Sequence, residues 1–134
     1  MSEYPKLKKL FARKIDPGDV RVSDIEASVK AGAKLLERGK DVGQIELRLV
    51  GERVGRSYTV DVLAGSSRVA PGSADEPDLR LVVPESTWIE IANGDLSPVD
   101  AYLTGRMEVA GDLEFAKRQY AKAMSRRGAE ELPF

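Results

Sequence analysis

The chain has 134 residues, with 21 lysines and arginines against 22 aspartates and glutamates, and it contains neither histidine nor cysteine. The missing residues exclude thiol nucleophiles, cysteine-rich zinc sites, disulfides and the histidine-dependent serine hydrolase triads. The net charge of −1 argues against sequence-independent binding of nucleic acids, which requires an excess of basic residues. One domain of ordinary size is expected.

The chain begins with a basic amphipathic segment, residues 1–22. Tyr4, Leu7 and Phe11 stand at helical spacing with lysines between them. No apolar run approaches the length of a membrane span or a secretory signal, so we expect a cytoplasmic protein. A second basic group lies near the other end of the chain, before the tail 127–134. These basic ends favour, at most, a transient contact with an anionic membrane or an enzyme.

A helix is predicted from about residue 24 to residue 38. Ser23 and Glu26 have the spacing of a capping box, and Gly39 is a stop signal. The apolar stripe of this helix is small in its middle, which indicates either close packing on a sheet or space beside the helix. It consists of Ile25, Val29, Gly32 and Leu36, and Ala33 flanks it.

Strands follow, because the apolar period changes from 3.6 to 2 at Gln44. Two strands around a turn at 51–55 predict a hairpin, and a short third strand is expected at 68–70. A fourth strand carries Leu79, Leu81 and Val83.

Short helices and one more strand complete the pattern. Pro84 begins a helix that Gly94 ends, and Ser97 caps a second helix that Gly105 ends. A fifth strand is predicted at 106–110. Asp112 begins the last helix, which runs to about residue 126; its predicted stripe is Leu113, Ala116, Tyr120 and Met124, with Phe115 almost opposite. The predicted class is α+β, with helices collected on one face of a mainly antiparallel, five-stranded sheet.

The sequence offers little for catalysis or metal binding. Phosphate-binding glycine motifs are absent. Asp75, Glu76 and Asp78 lack the remaining ligands of a calcium loop. Tyrosine–aspartate pairs at positions 58 and 61 and at 102 and 100 diverge locally on a strand and on a short helix. We therefore predict neither an enzyme nor a cofactor or metal site.

Aromatic residues and methionines crowd the last third of the chain, and their helical spacing fits an ordinary core as well as an apolar cavity. Residues 77–113 add a more specific signal. They read PDLRLVVPESTWIEIANGDLSPVDAYLTGRMEVAGDL. This run resembles the sterol carrier protein domain family, which binds and transfers lipids. Matching positions include Gly94, Leu96-Ser97-Pro98, Gly105 and Gly111-Asp112, and with the flanking elements the resemblance covers about residues 23–126.

The resemblance implies a fold in which an apolar tunnel lies between the sheet and the helices. The lining residues would be Val29, Gly32, Leu36, Leu81, Trp88, Ile91, Leu96, Tyr102, Leu103, Met107, Leu113, Phe115, Tyr120 and Met124. It also implies a non-catalytic carrier of a fatty acyl chain, a sterol or a similar lipid.

Two alternatives stay open at this point. The first is an accessory subunit that presents a lipid-like or polycyclic intermediate to a partner enzyme. The second is a small isomerase or cyclase that uses Tyr102 or a carboxylate of the pocket.

Overall fold

The computed structural model describes residues 22–51 and 55–128, and the side chains at 24–51 and 55–124. The elements in chain order are α1 (Val22–Lys34), β1 (Gly43–Val50), β2 (Arg56–Leu63), β3 (Ser66–Pro71), β4 (Leu79–Pro84), α2 (Glu85–Ala92), α3 (Pro98–Leu103), β5 (Glu108–Gly111) and α4 (Leu113–Gly128). Residues 1–21 of the predicted segment 1–22, the side chain of Ser23 and residues 129–134 of the predicted tail 127–134 lie outside those described. α1 begins at Val22, two residues before its predicted start, so Ser23 lies within the helix.

The five strands form one sheet in the order β3-β2-β1-β4-β5. Adjacent strands are antiparallel except that β1 and β4 run parallel. The parallel pair arises because the chain leaves β3 at one edge and crosses, through residues 72–78, to the far side of β1. The predicted α+β class with a mainly antiparallel five-stranded sheet is therefore confirmed.

One face of the sheet is apolar from β2 to β4. The register places Ile45 opposite Val60 on one side and Leu79 on the other, so alternate residues of all three strands share this inner face. α1 packs over β2 and β3, and α2 packs over β1 and β4. The buried strand residues on this face are Ile45, Leu47, Leu49, Tyr58, Val60, Val62, Leu79 and Val83.

α1 ends at Lys34, four residues earlier than predicted. The amide of Leu35 donates to the carbonyl of Gly32, and that of Leu36 to Ala33, both at 3.0 Å, so the chain tightens into a 3₁₀-like turn. The tighter turn rotates the following side chains relative to a continuing α-helix. Beyond the end of the helix, Leu35 is buried and Leu36 only partly buried; within the helix, Ala33 is buried and Gly32 partly buried.

Both predicted caps in the second half of the chain are confirmed. The Ser97 hydroxyl accepts a 3.2 Å hydrogen bond from the amide of Val99, and Asp112 Oδ1 accepts one of 3.0 Å from the amide of Phe115. β5 begins at Glu108, two residues later than predicted. The reason is that the amides at 106 and 107 both donate to the carbonyl of Ala101 and close the end of α3 instead.

Candidate functional site

The residues predicted to line a tunnel fall into three groups by exposure. The buried group comprises Val29, Ile91, Met107, Phe115 and Met124. Six residues are partly buried. Leu36, Leu81, Trp88 and Leu96 pack against the main core. The other two are Gly32 and Tyr120. The exposed group is Tyr102, Leu103 and Leu113. The structure thus brings most of the predicted residues to the layer between sheet and helices and leaves three at the surface.

α3 explains two of the exposed residues. Its single inward position is taken by Ala101, which is fully buried, while Tyr102 is 46% exposed and Leu103 is 71% exposed. A six-residue helix has less than two turns, so neighbouring side chains cannot share its buried side. Contrary to the prediction, neither residue contributes to the apolar interior in this structure.

The buried stripe of α4 also differs from the prediction. Leu113 is 50% exposed, whereas Phe115, predicted to lie almost opposite the stripe, is buried in the main core together with residues of the sheet. The phenylalanine ring packs directly on the backbone of Gly43, where a Cβ atom would stand 2.5 Å from its Cζ atom. The absent side chain at the start of β1 therefore makes room for Phe115 against the sheet.

Gly32, in the middle of α1, is partly exposed and is not closely packed against other elements. Within the described part of the chain, no heavy atom beyond its immediate helical surroundings lies within 4 Å of where a Cβ of Gly32 would stand. Its neighbour Ala33 is buried in the core instead. Of the two explanations for the small stripe, close packing applies to Ala33 but not to Gly32, which is partly exposed.

α1 and α2 are joined by a polar link above the sheet. The indole Nε1–H of Trp88 donates to Ser28 Oγ at 2.7 Å, and the serine hydroxyl donates to the carbonyl of Ile25 at 2.6 Å. Ser28 is fully buried. The only sequence signal for Ser28 is its place three residues after Ile25, which puts it on the apolar side of the helix.

A second polar group lies at the end of the inner face where β1 and β4 finish. Arg56 Nε lies 3.0 Å from Glu85 Oε2, and both side chains are about three-quarters buried. Tyr58, two residues along β2 on the same face, is buried. Burial raises the pKa of the Tyr58 hydroxyl; the charge of Arg56 opposes that rise, and the charges of Glu26 and Glu85 add to it. Sequence patterns gave no signal for this group, since its members are far apart in the chain.

The loop before β1 is tied to α4 through Asp41. Its carboxylate accepts from Arg118 Nε at 3.2 Å and from Gln119 Nε2 at 3.1 Å, and it lies 3.8 Å from Lys122 Nζ. Burial acts to raise the pKa of Asp41, but these donors outweigh it and the pKa is lowered. Burial also lowers the pKa of Lys122, against the charge of Asp41. A cavity of about 320 Å³ beside this contact is lined by Arg38, Gly39, Ala121 and Lys122.

The outer face of the sheet is polar and contains a fully buried carboxylate. Glu46 accepts hydrogen bonds of 2.8 Å from Arg48 Nη2 and from Arg80 Nε. Burial acts to raise the pKa of Glu46, but the two arginines outweigh it, so the pKa is lowered. The alternating pattern of β1 correctly predicts the face on which Glu46 lies, but it does not predict the burial.

The described residues give no support for a metal centre or a membrane span. Across 22–51 and 55–128, no group of three or more acidic, histidine or cysteine side chains is placed to hold a metal ion. No helix within the same ranges is long and apolar enough to cross a bilayer.

Tyr58 and Asp61 diverge, as their spacing on a strand predicts. Tyr58 faces the core, while Asp61 pairs with Arg68 on the outer face of the sheet.

Solved structures with a similar fold come from several organisms. Sterol carrier protein 2 like 2 of Aedes aegypti matches 87% of this chain and 92% of its own, with a TM-score of 0.55 at 21% identity. The palmitated form of the same protein matches with the same score and identity. A sec-alkyl sulfatase, PisA1, matches 78% of this chain with a TM-score of 0.59, but at 14% identity and over only 16% of the sulfatase. At these identities the likeness concerns the fold.

Two comparisons concern the sequence itself. Mouse peroxisomal multifunctional enzyme type 2 is 26% identical over 69 residues, which are 51% of this chain and 9% of that enzyme. The chain therefore corresponds to a small part of that relative's length. The model of the SCP-2 sterol transfer family matches residues 22–121. Because this match covers well over half of the 134 residues, the chain belongs to the SCP-2 sterol transfer family.

Proposed function

We propose that this chain is a non-catalytic carrier that holds a fatty acyl chain, a sterol or a similar lipid in a tunnel. The tunnel would lie between the inner face of the sheet and the helices α1 and α2. Membership of a lipid-binding family supports the ligand class. The observation that supports the location is the apolar layer that runs across β2, β1 and β4 beneath α1 and α2, together with the absence of close packing at Gly32.

Binding of this kind needs partition rather than chemistry. Each methylene that leaves water for an apolar cavity contributes about 0.8 kcal/mol. A long acyl chain therefore gains enough free energy to bind without any reactive side chain. The cytoplasmic location expected from the sequence remains part of this proposal.

Two measurements test the carrier. Purified protein is extracted and its lipids are identified by mass spectrometry, and oleate is titrated while the emission of Trp88, the only tryptophan, is followed. We expect a co-purified lipid and a saturable change in emission. Absence of both would refute the proposal.

A pair of variants tests the location. Gly32→Phe fills the space beside α1 and should weaken oleate binding at least several-fold. Lys30→Phe is the control, because Lys30 is exposed on the same helix. Equal affinity of Gly32→Phe and the wild type would remove this side of α1 from the tunnel wall.

The second candidate function is an accessory subunit that presents a lipid-like intermediate to an enzyme. It is favoured by the mouse enzyme and the sulfatase, in both of which the matching region is a small part of a longer chain. The test is whether this chain forms a stoichiometric complex with an enzyme on gel filtration and raises its turnover of a hydrophobic substrate. The alternative of catalysis by Tyr102 has no comparable support, since that side chain lies at the surface.

A further inference from the structure

The polar group around Arg56 lies inside the layer where the proposed ligand would bind. Arg56 and Tyr58 share the inner face of β2, and Arg56 is opposite Leu49 near the end of β1. β4 ends next to the end of β1, and Glu85 is the first residue of the following helix, α2. An apolar layer thus ends in a hydroxyl, a guanidinium and a carboxylate.

Arg56 has hydrogen-bonding capacity that the described residues leave unused. Its Nη1 atom is buried and, among residues 22–51 and 55–128, has no hydrogen-bond partner. Glu85 Oε2 is 3.0 Å from Arg56 Nε, yet it too lacks an aligned hydrogen bond in this part of the chain. Buried polar atoms are normally satisfied by protein, water or ligand, so this donor requires an acceptor.

The charges of the group cancel. Arg56 is paired with Glu85, and the nearby Glu26 is paired with Lys30 at 3.4 Å. Burial raises the pKa of Tyr58, which keeps its hydroxyl neutral near pH 7. Because Glu85 already neutralises Arg56, a ligand carboxylate would add an unpaired negative charge here, whereas a neutral oxygen adds no charge.

We propose that Arg56, Tyr58 and Glu85 receive the polar end of the ligand and select lipids with a neutral hydroxyl or carbonyl oxygen over lipids with a carboxylate. In this arrangement Arg56 Nη1–H donates to the ligand oxygen, and Glu85 disfavours a second anion. This inference rests on the proposed lipid-carrier function and adds its head-group specificity. The palmitated form of the mosquito protein does not decide the matter, because only the fold is shared at 21% identity.

The test uses three probes with the same chain length: oleyl alcohol, oleate and 1-octadecene. Wild-type protein should bind the alcohol roughly tenfold more tightly than the alkene, since about one well-placed hydrogen bond separates them. It should also bind the alcohol more tightly than oleate, whose carboxylate would be a second anion beside Arg56. Arg56→Gln should reduce the affinity for the alcohol toward that for the alkene and leave the alkene unchanged. Arg68→Gln is the control, because Arg68 is 70% exposed on the outer face.

The Glu85→Gln variant provides an independent test of the head-group preference. Removal of its charge leaves Arg56 uncompensated, so the affinity for oleate should rise several-fold.

Oleate that binds wild-type protein as tightly as the alcohol would overturn the inference, as would an Arg56→Gln variant with unchanged preference. If none of the probes binds wild-type protein, the proposed function itself fails and the inference fails with it. Far-UV circular dichroism confirms that each variant is folded; should Arg56→Gln unfold, Arg56→Lys keeps the charge and removes Nη1.

Discussion

The buried carboxylate on the outer face of the sheet gives a prediction whose sign can be checked. In the double variant Arg48→Gln/Arg80→Gln, we expect the glutamine side chains to keep Glu46 covered, while both 2.8 Å contacts to its carboxylate are lost. A hydrogen bond to a charged group contributes about 1.5–3 kcal/mol, and breaking a buried ion pair from one side costs about 3–5 kcal/mol. Because the arginine side chains are 47% and 35% exposed, we expect the lower end, about 3 kcal/mol for the double variant.

The dependence on pH should reverse in the variant. In the wild type the pKa of Glu46 lies below its ordinary value of 4.5, so its stabilising effect is present above that value and lost as pH falls through the folded pKa. Without the arginines, nothing opposes the effect of burial, which raises the pKa of Glu46 above its ordinary value. The double variant should therefore regain stability as the pH is lowered from 7 toward that value.

Urea denaturation followed by far-UV circular dichroism at several pH values measures both effects. Arg68→Gln is the control, since it removes an exposed arginine from the same face, and it should cost less than about 1 kcal/mol. A double variant that loses under about 1 kcal/mol at pH 7, or that gains no stability on acidification, would refute the reasoning.

Three further substitutions test contacts around the apolar layer. Ser28→Ala leaves the indole N–H of Trp88, the only tryptophan, without its 2.7 Å acceptor and should lower the free energy of unfolding by about 1–2 kcal/mol. A change below about 0.5 kcal/mol would mean that water replaces the hydroxyl. Gly43→Ala places a methyl group against the Phe115 ring and should cost about 1–3 kcal/mol in chemical denaturation, part of which Phe115→Leu should restore. Asp41→Asn removes the charge facing Lys122 and should lower the melting temperature, with the difference from wild type shrinking as the pH falls through the folded pKa of the aspartate; a constant difference would contradict this.

Local patterns were sufficient for most elements of the fold. The Ser97 and Asp112 caps, the alternation in β1, β2 and β4, and the glycine ends of the short helices are all where the sequence predicts them. Such features depend on residues within a few positions of each other. Errors of two to four residues occur at the end of α1 and the start of β5, because backbone hydrogen bonds to Gly32 and Ala101 compete with the regular ladder there.

The candidate site was predicted less completely. Family resemblance and periodicity gave the apolar layer, including Val29, Ile91 and Met107. They did not predict the ion pair between Arg56 and Glu85, because an ion pair between residues distant in sequence leaves no periodic signal. The exposure of Tyr102 and Leu103 was also missed, since hydrophobic character alone does not say which side of a short helix is covered.

By itself, the sequence determined the α+β class, the order of the elements, the likeness to a lipid-binding family and the exclusion of histidine and cysteine chemistry. Each of these follows from composition or from short-range spacing. Only the tertiary structure decided the parallel pairing of β1 with β4, the docking of Phe115 on Gly43, and the burial of Glu46 between two arginines. These depend on contacts between distant parts of the chain, whose free energies are set by burial and by which partners the fold brings within reach.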